Sequence, residues 1–104
     1  MNIYFTATTS QDTYKKNYRT ILNRLEKIPN IHIISGKQIL VKSLLSQDKK
    51  LASKKIFERE KSLIDKADVV IAEVTQPSTG VGGEIVYSLV QKKPVLALIF
   101  EEQE

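Results

Sequence analysis

Residues 69–74, read as VVIAEV, constrain the fold of this chain more than any other stretch. A near-continuous apolar run of this length belongs to a strand buried on both faces, as in a parallel sheet with helices on each side. The flanking sequence supplies the neighbours. Residues 2–7 (NIYFTA) read as a first strand, rich in the β-formers Ile3, Tyr4 and Phe5. Tyr14, Tyr18, Ile21, Leu22, Leu25 and Ile28 then recur at helical spacing, with Ser10 and Asp12 as candidate caps and Pro29-Asn30 as a stop. Residues 31–35 form a short second strand ended by Gly36, and Ile39–Leu45 are either a short helix or a loop with buried anchors. Ile56, Phe57, Leu63, Ile64 and Ala67 mark a second helix ending near Asp65–Lys66. After residues 69–74, a loop is expected over 75–83, a third helix over 84–91 and a fourth strand over 95–100 (VLALIF).

Strands alternating with helices predict βαβ units and one α/β domain over residues 1–104. The expected architecture is a Rossmann-like or flavodoxin-like three-layer sandwich with a small parallel sheet of order 2-1-3-4. Ligands of such sheets sit at the C-terminal ends of the strands where the winding reverses, here strands 1 and 3. Those ends carry residues 7–10 and 75–84.

Composition removes several chemistries. The chain has no cysteine and one histidine, His32, which excludes disulfides and thiolate chemistry and argues against a zinc site built on histidines. Residues 1–55 hold 11 Lys/Arg and 3 Asp/Glu, a net +8, whereas residues 56–104 net −4. Lysine excess in one half raises nucleic-acid binding as a reading, but few aromatics lie among those lysines, so a solvated basic face is favoured. The apolar runs are short and no leader-like segment follows Met1. A soluble cytoplasmic protein with no membrane partner is expected.

The most unusual segment is residues 73–84, EVTQPSTGVGGE. Gly80, Gly82 and Gly83 permit tight turns and close approach of a ligand to the backbone. Ser78 and Thr79 offer hydroxyls, and the start of the third helix offers N–H groups suited to an anion. Glu84 would lie in the first turn of that helix. There it either complements the helix dipole or serves as an ionised carboxylate nucleophile for glycosyl transfer. From these residues alone, both readings stand.

The run of residues 67–84 (ADVVIAEVTQPSTGVGGE), continuing to KPVLAL at 93–98, resembles the nucleoside 2-deoxyribosyltransferase family. Within that family it is most similar to the 2′-deoxynucleoside 5′-phosphate N-hydrolase branch, and IYF at 3–5 fits the same opening. The resemblance implies that Glu84 forms a covalent deoxyribosyl intermediate and that Tyr4 assists at the same centre. Glu60, in FERE at 57–60, stands where the family has an aspartate that holds the sugar hydroxyl. Ser78 matches a phosphate-binding serine, and Thr8 a phosphate-loop serine with Ser10 beside it. The first loop reads ATTSQD (7–12) where the branch has Gly-Ser-Ile-Arg-Gly-Gly, and Gly83 stands where a tyrosine is common. The chain also lacks the last strand and helix of the family, as a short or truncated member would.

The implied activity is enzymatic: cleavage or transfer at the N-glycosidic bond of 2′-deoxynucleosides or their 5′-monophosphates, with no metal or redox cofactor. The alternative is a nucleotide-binding module that has lost catalysis. The apolar strand at 95–100 would be a sheet edge, which predicts a homodimer or closed oligomer, with Leu63, Ile64 or Leu89 adding apolar contact.

Overall fold

A computed structural model describes residues 1–9, 13–40 and 53–101. Its elements are β1 (Asn2–Ala7), α1 (Lys15–Glu26), β2 (His32–Ser35), a 3₁₀ turn (Lys37–Leu40), α2 (Ser53–Lys66), β3 (Val69–Glu73), α3 (Thr79–Val90) and β4 (Val95–Leu98). All strands are parallel, in the expected order β2-β1-β3-β4. β1 pairs with β3 from Ile3↔Val69 to Ala7↔Glu73, and β3 with β4 from Val70↔Val95 to Glu73↔Leu98.

Right-handed crossovers decide which face each helix covers. The path from β1 to β2 runs one way across the sheet, and the paths from β2 to β3 and β3 to β4 run the other. Thus α1 covers one face, and α2 with α3 cover the opposite one. The core divides accordingly. Ile3, Phe5, Ala7 and Ile71 pack with Tyr18 and Leu22 of α1, while Tyr4 and Val70 pack with Ile64 and Ala67 at the end of α2. Because successive strand side chains alternate, Tyr4 shares its face with Thr6, whereas Glu73 shares that of Ile71. β3 is buried along nearly its whole length, as its continuous apolar run requires.

Gly36 ends β2 with φ +126°, and a Cβ there would lie 2.7 Å from Phe5 Cβ and 2.8 Å from the Phe5 carbonyl oxygen. Here glycine is required both by dihedral and by space.

Several sequence expectations need correction. The loop after β3 is shorter than expected, because α3 begins at Thr79 rather than Glu84. Helix propensity is poor at Gly80, Gly82 and Gly83, yet the Ser78 side chain accepts from the Val81 N–H and starts the helix there. The N-cap position of α1 is Tyr14, whose side chain makes no capping hydrogen bond; the candidate caps Ser10 and Asp12 lie outside the described residues. The short-helix-or-loop segment is a 3₁₀ turn as far as Leu40, with Ile39 in the core, and residues 41–45 lie outside the described residues. Ile64 is fully buried and cannot serve an oligomer contact, whereas Leu89 is exposed together with Val86 and Val90.

Candidate active site

The site grows out of β1. Tyr4 and Thr6 project from one face of this central strand, two residues apart, toward α2 and α3. Glu60 on α2 comes in from one side and is 7% exposed; its Oε2 accepts the Tyr4 hydroxyl at 2.5 Å. Its Oε1 accepts from Arg59 Nε at 3.0 Å and Nη2 at 2.8 Å. Glu84 on α3 comes in from the other side, where its Oε2 accepts the hydroxyl of Thr6. Residues 4, 6, 60 and 84 thus meet in one cluster on one face of the sheet.

The electrostatics follow from burial. Removal from water raises the Glu84 carboxyl above its usual value, the hydrogen bond from Thr6 and the neighbouring Tyr4 hydroxyl pull it back, and the nearby Glu60 adds to the rise. Tyr4 is pushed far above the ordinary phenol range by burial first, and then by Glu84 and Glu60. It therefore keeps its proton and acts as a neutral donor between two carboxylates.

The other expected site residues fall less uniformly. Thr8 is buried just beyond β1, and Ser10 lies outside the described residues. Ser78 caps α3 through its oxygen lone pair, at 3.3 Å from the Val81 nitrogen. That leaves its hydroxyl proton available for a ligand. Gly80, Gly82 and Gly83 lie in the first turns of α3 and have no positive φ, so they make no tight turn. A Cβ at Gly82 or Gly83 would meet nothing within 4 Å, which leaves space open beside the helix start. Glu84 lies in the second turn rather than the first, so the cluster, more than the helix terminus, sets its chemistry.

Tyr87, one turn beyond Glu84, donates to Asp65 Oδ1 at 2.6 Å and braces α3 against α2. Among the described residues, no group of three or more His, Asp or Glu is arranged to hold a metal ion. Two participants were not singled out in the sequence. Thr6 was legible in principle, because it shares the parity of Tyr4 on a strand. Arg59 carried no signal beyond its adjacency to Glu60.

The class of fold is thus a doubly wound parallel sheet, with two carboxylates and a phenol clustered beside its central strand β1. The family model for nucleoside 2-deoxyribosyltransferase matches residues 3–104, and the chain belongs to that family. A protein of Thermofilum pendens, provisionally named 2′-deoxynucleoside 5′-phosphate N-hydrolase 1, is 35% identical over 104 residues, covering 99% of this chain and 71% of the relative. The 5-hydroxymethyl-dUMP N-hydrolase of Danio rerio is 33% identical over 102 residues, covering 94% of this chain and 68% of that protein. A solved 2-desoxiribosyltransferase from Leishmania mexicana superposes with TM-score 0.69 at 15% identity, over 98% of this chain and 66% of its own, and shows the shared fold.

Proposed function

We propose that this protein cleaves the N-glycosidic bond of a 2′-deoxynucleoside or its 5′-monophosphate, with Glu84 as the nucleophile. The observation that carries the proposal is the shared phenol: Tyr4 donates to Glu60 and lies against Glu84, so both acids attend one reacting centre. The names of the relatives, N-hydrolases of deoxynucleoside 5′-phosphates, supply the substrate class.

In this reading Glu84 Oε1 attacks C1′ of the deoxyribose as the C1′–N bond breaks. The bonding pair leaves with the base, which is released after protonation. A missing 2′-hydroxyl eases the oxocarbenium-like state. Water, or a second base in a transfer reaction, then attacks C1′ and returns the electron pair to Glu84. Glu60, fixed by Arg59 and Tyr4, holds the sugar hydroxyl; its side chain is one methylene longer than the aspartate it replaces and still reaches Tyr4. Ser78, Thr8 and the N–H groups opening α3 receive the 5′-phosphate where one is present.

The proposal extends to a single catalytic domain, to a cytoplasmic location among free deoxynucleotides, and to a homodimer. Leu89 at 58% exposure, with the exposed Val86 and Val90 beside it, supports a self-association surface. The deciding assay is release of free base from deoxynucleosides and their monophosphates, with Glu84→Gln as control. Equal rates for the two proteins would remove Glu84 from its role. Tight nucleotide binding without base release would instead favour a binding module.

A further inference from the structure

Resting on the reading of Glu84 as the nucleophile, we propose that Thr6 is a positioning residue. Its hydroxyl fixes one oxygen of Glu84 and so presents the other, Oε1, to the sugar.

The geometry leaves this task to Thr6 rather than to Tyr4. A phenol has one proton to give, and Tyr4 gives it to Glu60 Oε2 at 2.5 Å. The hydroxyl of Thr6 is directed to Glu84 Oε2 instead. Thr6 is itself buried on a strand paired on one side with β3, where Thr6 stands opposite Ala72, so its backbone has little room to move. A β-branched side chain also has few χ1 options, which makes the hydroxyl a rigid donor. The main chain of Glu84 is held independently, since the hydroxyl of the buried Ser88 donates to its carbonyl at 2.6 Å. With the backbone and Oε2 both fixed, the direction of Oε1 is set.

The chemistry benefits twice. A carboxylate taken out of water must stay ionised to attack, and a donor on Oε2 favours the ionised form. When Oε1 bonds to C1′, Oε2 becomes the carbonyl oxygen of the glycosyl ester. The same hydroxyl then stabilises the carboxylate as it leaves in the second step.

Thr6→Val keeps the shape and removes the donor, whereas Thr6→Ser keeps the donor. The expected result for Thr6→Val is a ten- to hundredfold loss in kcat/KM for base release. The acid limb of its pH profile moves to higher pH, because a Glu84 without its donor holds its proton more tightly. Thr6→Ser should restore most of the rate and the wild-type limb. An unmoved acid limb in Thr6→Val, or a Thr6→Ser variant as impaired as Thr6→Val, would overturn the assignment. Titration of the Glu84 carboxyl carbon by NMR gives a readout independent of turnover, with Thr6→Val expected to titrate at higher pH than wild type. A wild-type protein that releases no base counts against the proposed activity alone. An unshifted Glu84 titration in Thr6→Val counts against Thr6 alone.

Discussion

Glu73 and Glu84 are both carboxylates drawn toward the C-terminal end of the sheet, and they are held in opposite ways. Glu73, 3% exposed, ends β3 on the face covered by α1. Its Oε1 accepts from the Thr75 N–H at 2.7 Å and from the Thr75 hydroxyl, two residues away in sequence. Among the described residues its Oε2 has no hydrogen-bond partner, and it lines a pocket of about 340 Å³ with Asn17, Thr20 and Phe100. Burial and the nearby Glu73 push the Tyr18 phenol up to about 12. Glu84, on the other face, is held by Thr6, 78 residues distant. A carboxylate satisfied by its own turn pins a loop. One held across the fold is aimed, and of the two Glu84 is the one with a second acid, Glu60, beside it.

The largest test of this contrast is Glu84→Gln, expected to lower the rate of base release by roughly 10³-fold or more. The same variant should be more stable than wild type at pH 7. Burial raises the folded-state pKa of Glu84, so the folded protein binds more protons than the unfolded chain between the two values. Stability is then lost as pH rises through that window, and glutamine removes the penalty. Thermal melts at pH 7 and pH 4 should show a gap that closes in acid. Glu73→Ala should do the reverse. It leaves the Thr75 donors without their acceptor and costs about 2 kcal/mol in denaturant unfolding. Its effect on turnover should fall on KM more than on kcat, because the loop leading to Ser78 loosens.

A smaller effect is expected at Ser78, which lies between the two regions as cap of α3. Ser78→Ala should cost about 1 kcal/mol of stability. It should also lower whatever preference the protein has for a deoxynucleotide over its deoxynucleoside, measured as the ratio of the two rates. That preference is expected to be weak from the start, since no arginine stands in the first loop at residues 7–12. The smallest effect lies far from both carboxylates. Lys92 follows α3 with φ 60°, a left-handed conformation better suited to glycine, and Lys92→Gly should stabilise by about 0.5 kcal/mol with unchanged turnover.

Much of this was legible in the chain. The apolar run of β3 and the amphipathic stripe of α1 predicted the sheet and its order, because burial on two faces or on one stripe leaves a direct mark in residue type. The family resemblance at residues 3–5, 57–60 and 67–84 selected Tyr4, Glu60 and Glu84, and the fold brings these three together. The start of α3 was misread, since three glycines in five residues signal a loop. A local cap and tertiary packing outweigh that propensity, of about 1 kcal/mol per glycine. Ser10 and the segment at 41–52 fall outside the described residues.

By itself, then, the sequence determined the elements, their order across the sheet and the strand ends at which chemistry would gather. These depend on periodicities of two and 3.6 residues and on handedness, which are properties of the local chain. Tertiary structure alone decided that Tyr4 gives its proton to Glu60, that Thr6 rather than a helix dipole attends Glu84, and that Thr75 holds Glu73. Each of those outcomes is a contact between side chains two to 78 positions apart, whose energy depends on distance and burial, and neither quantity is written in residue order.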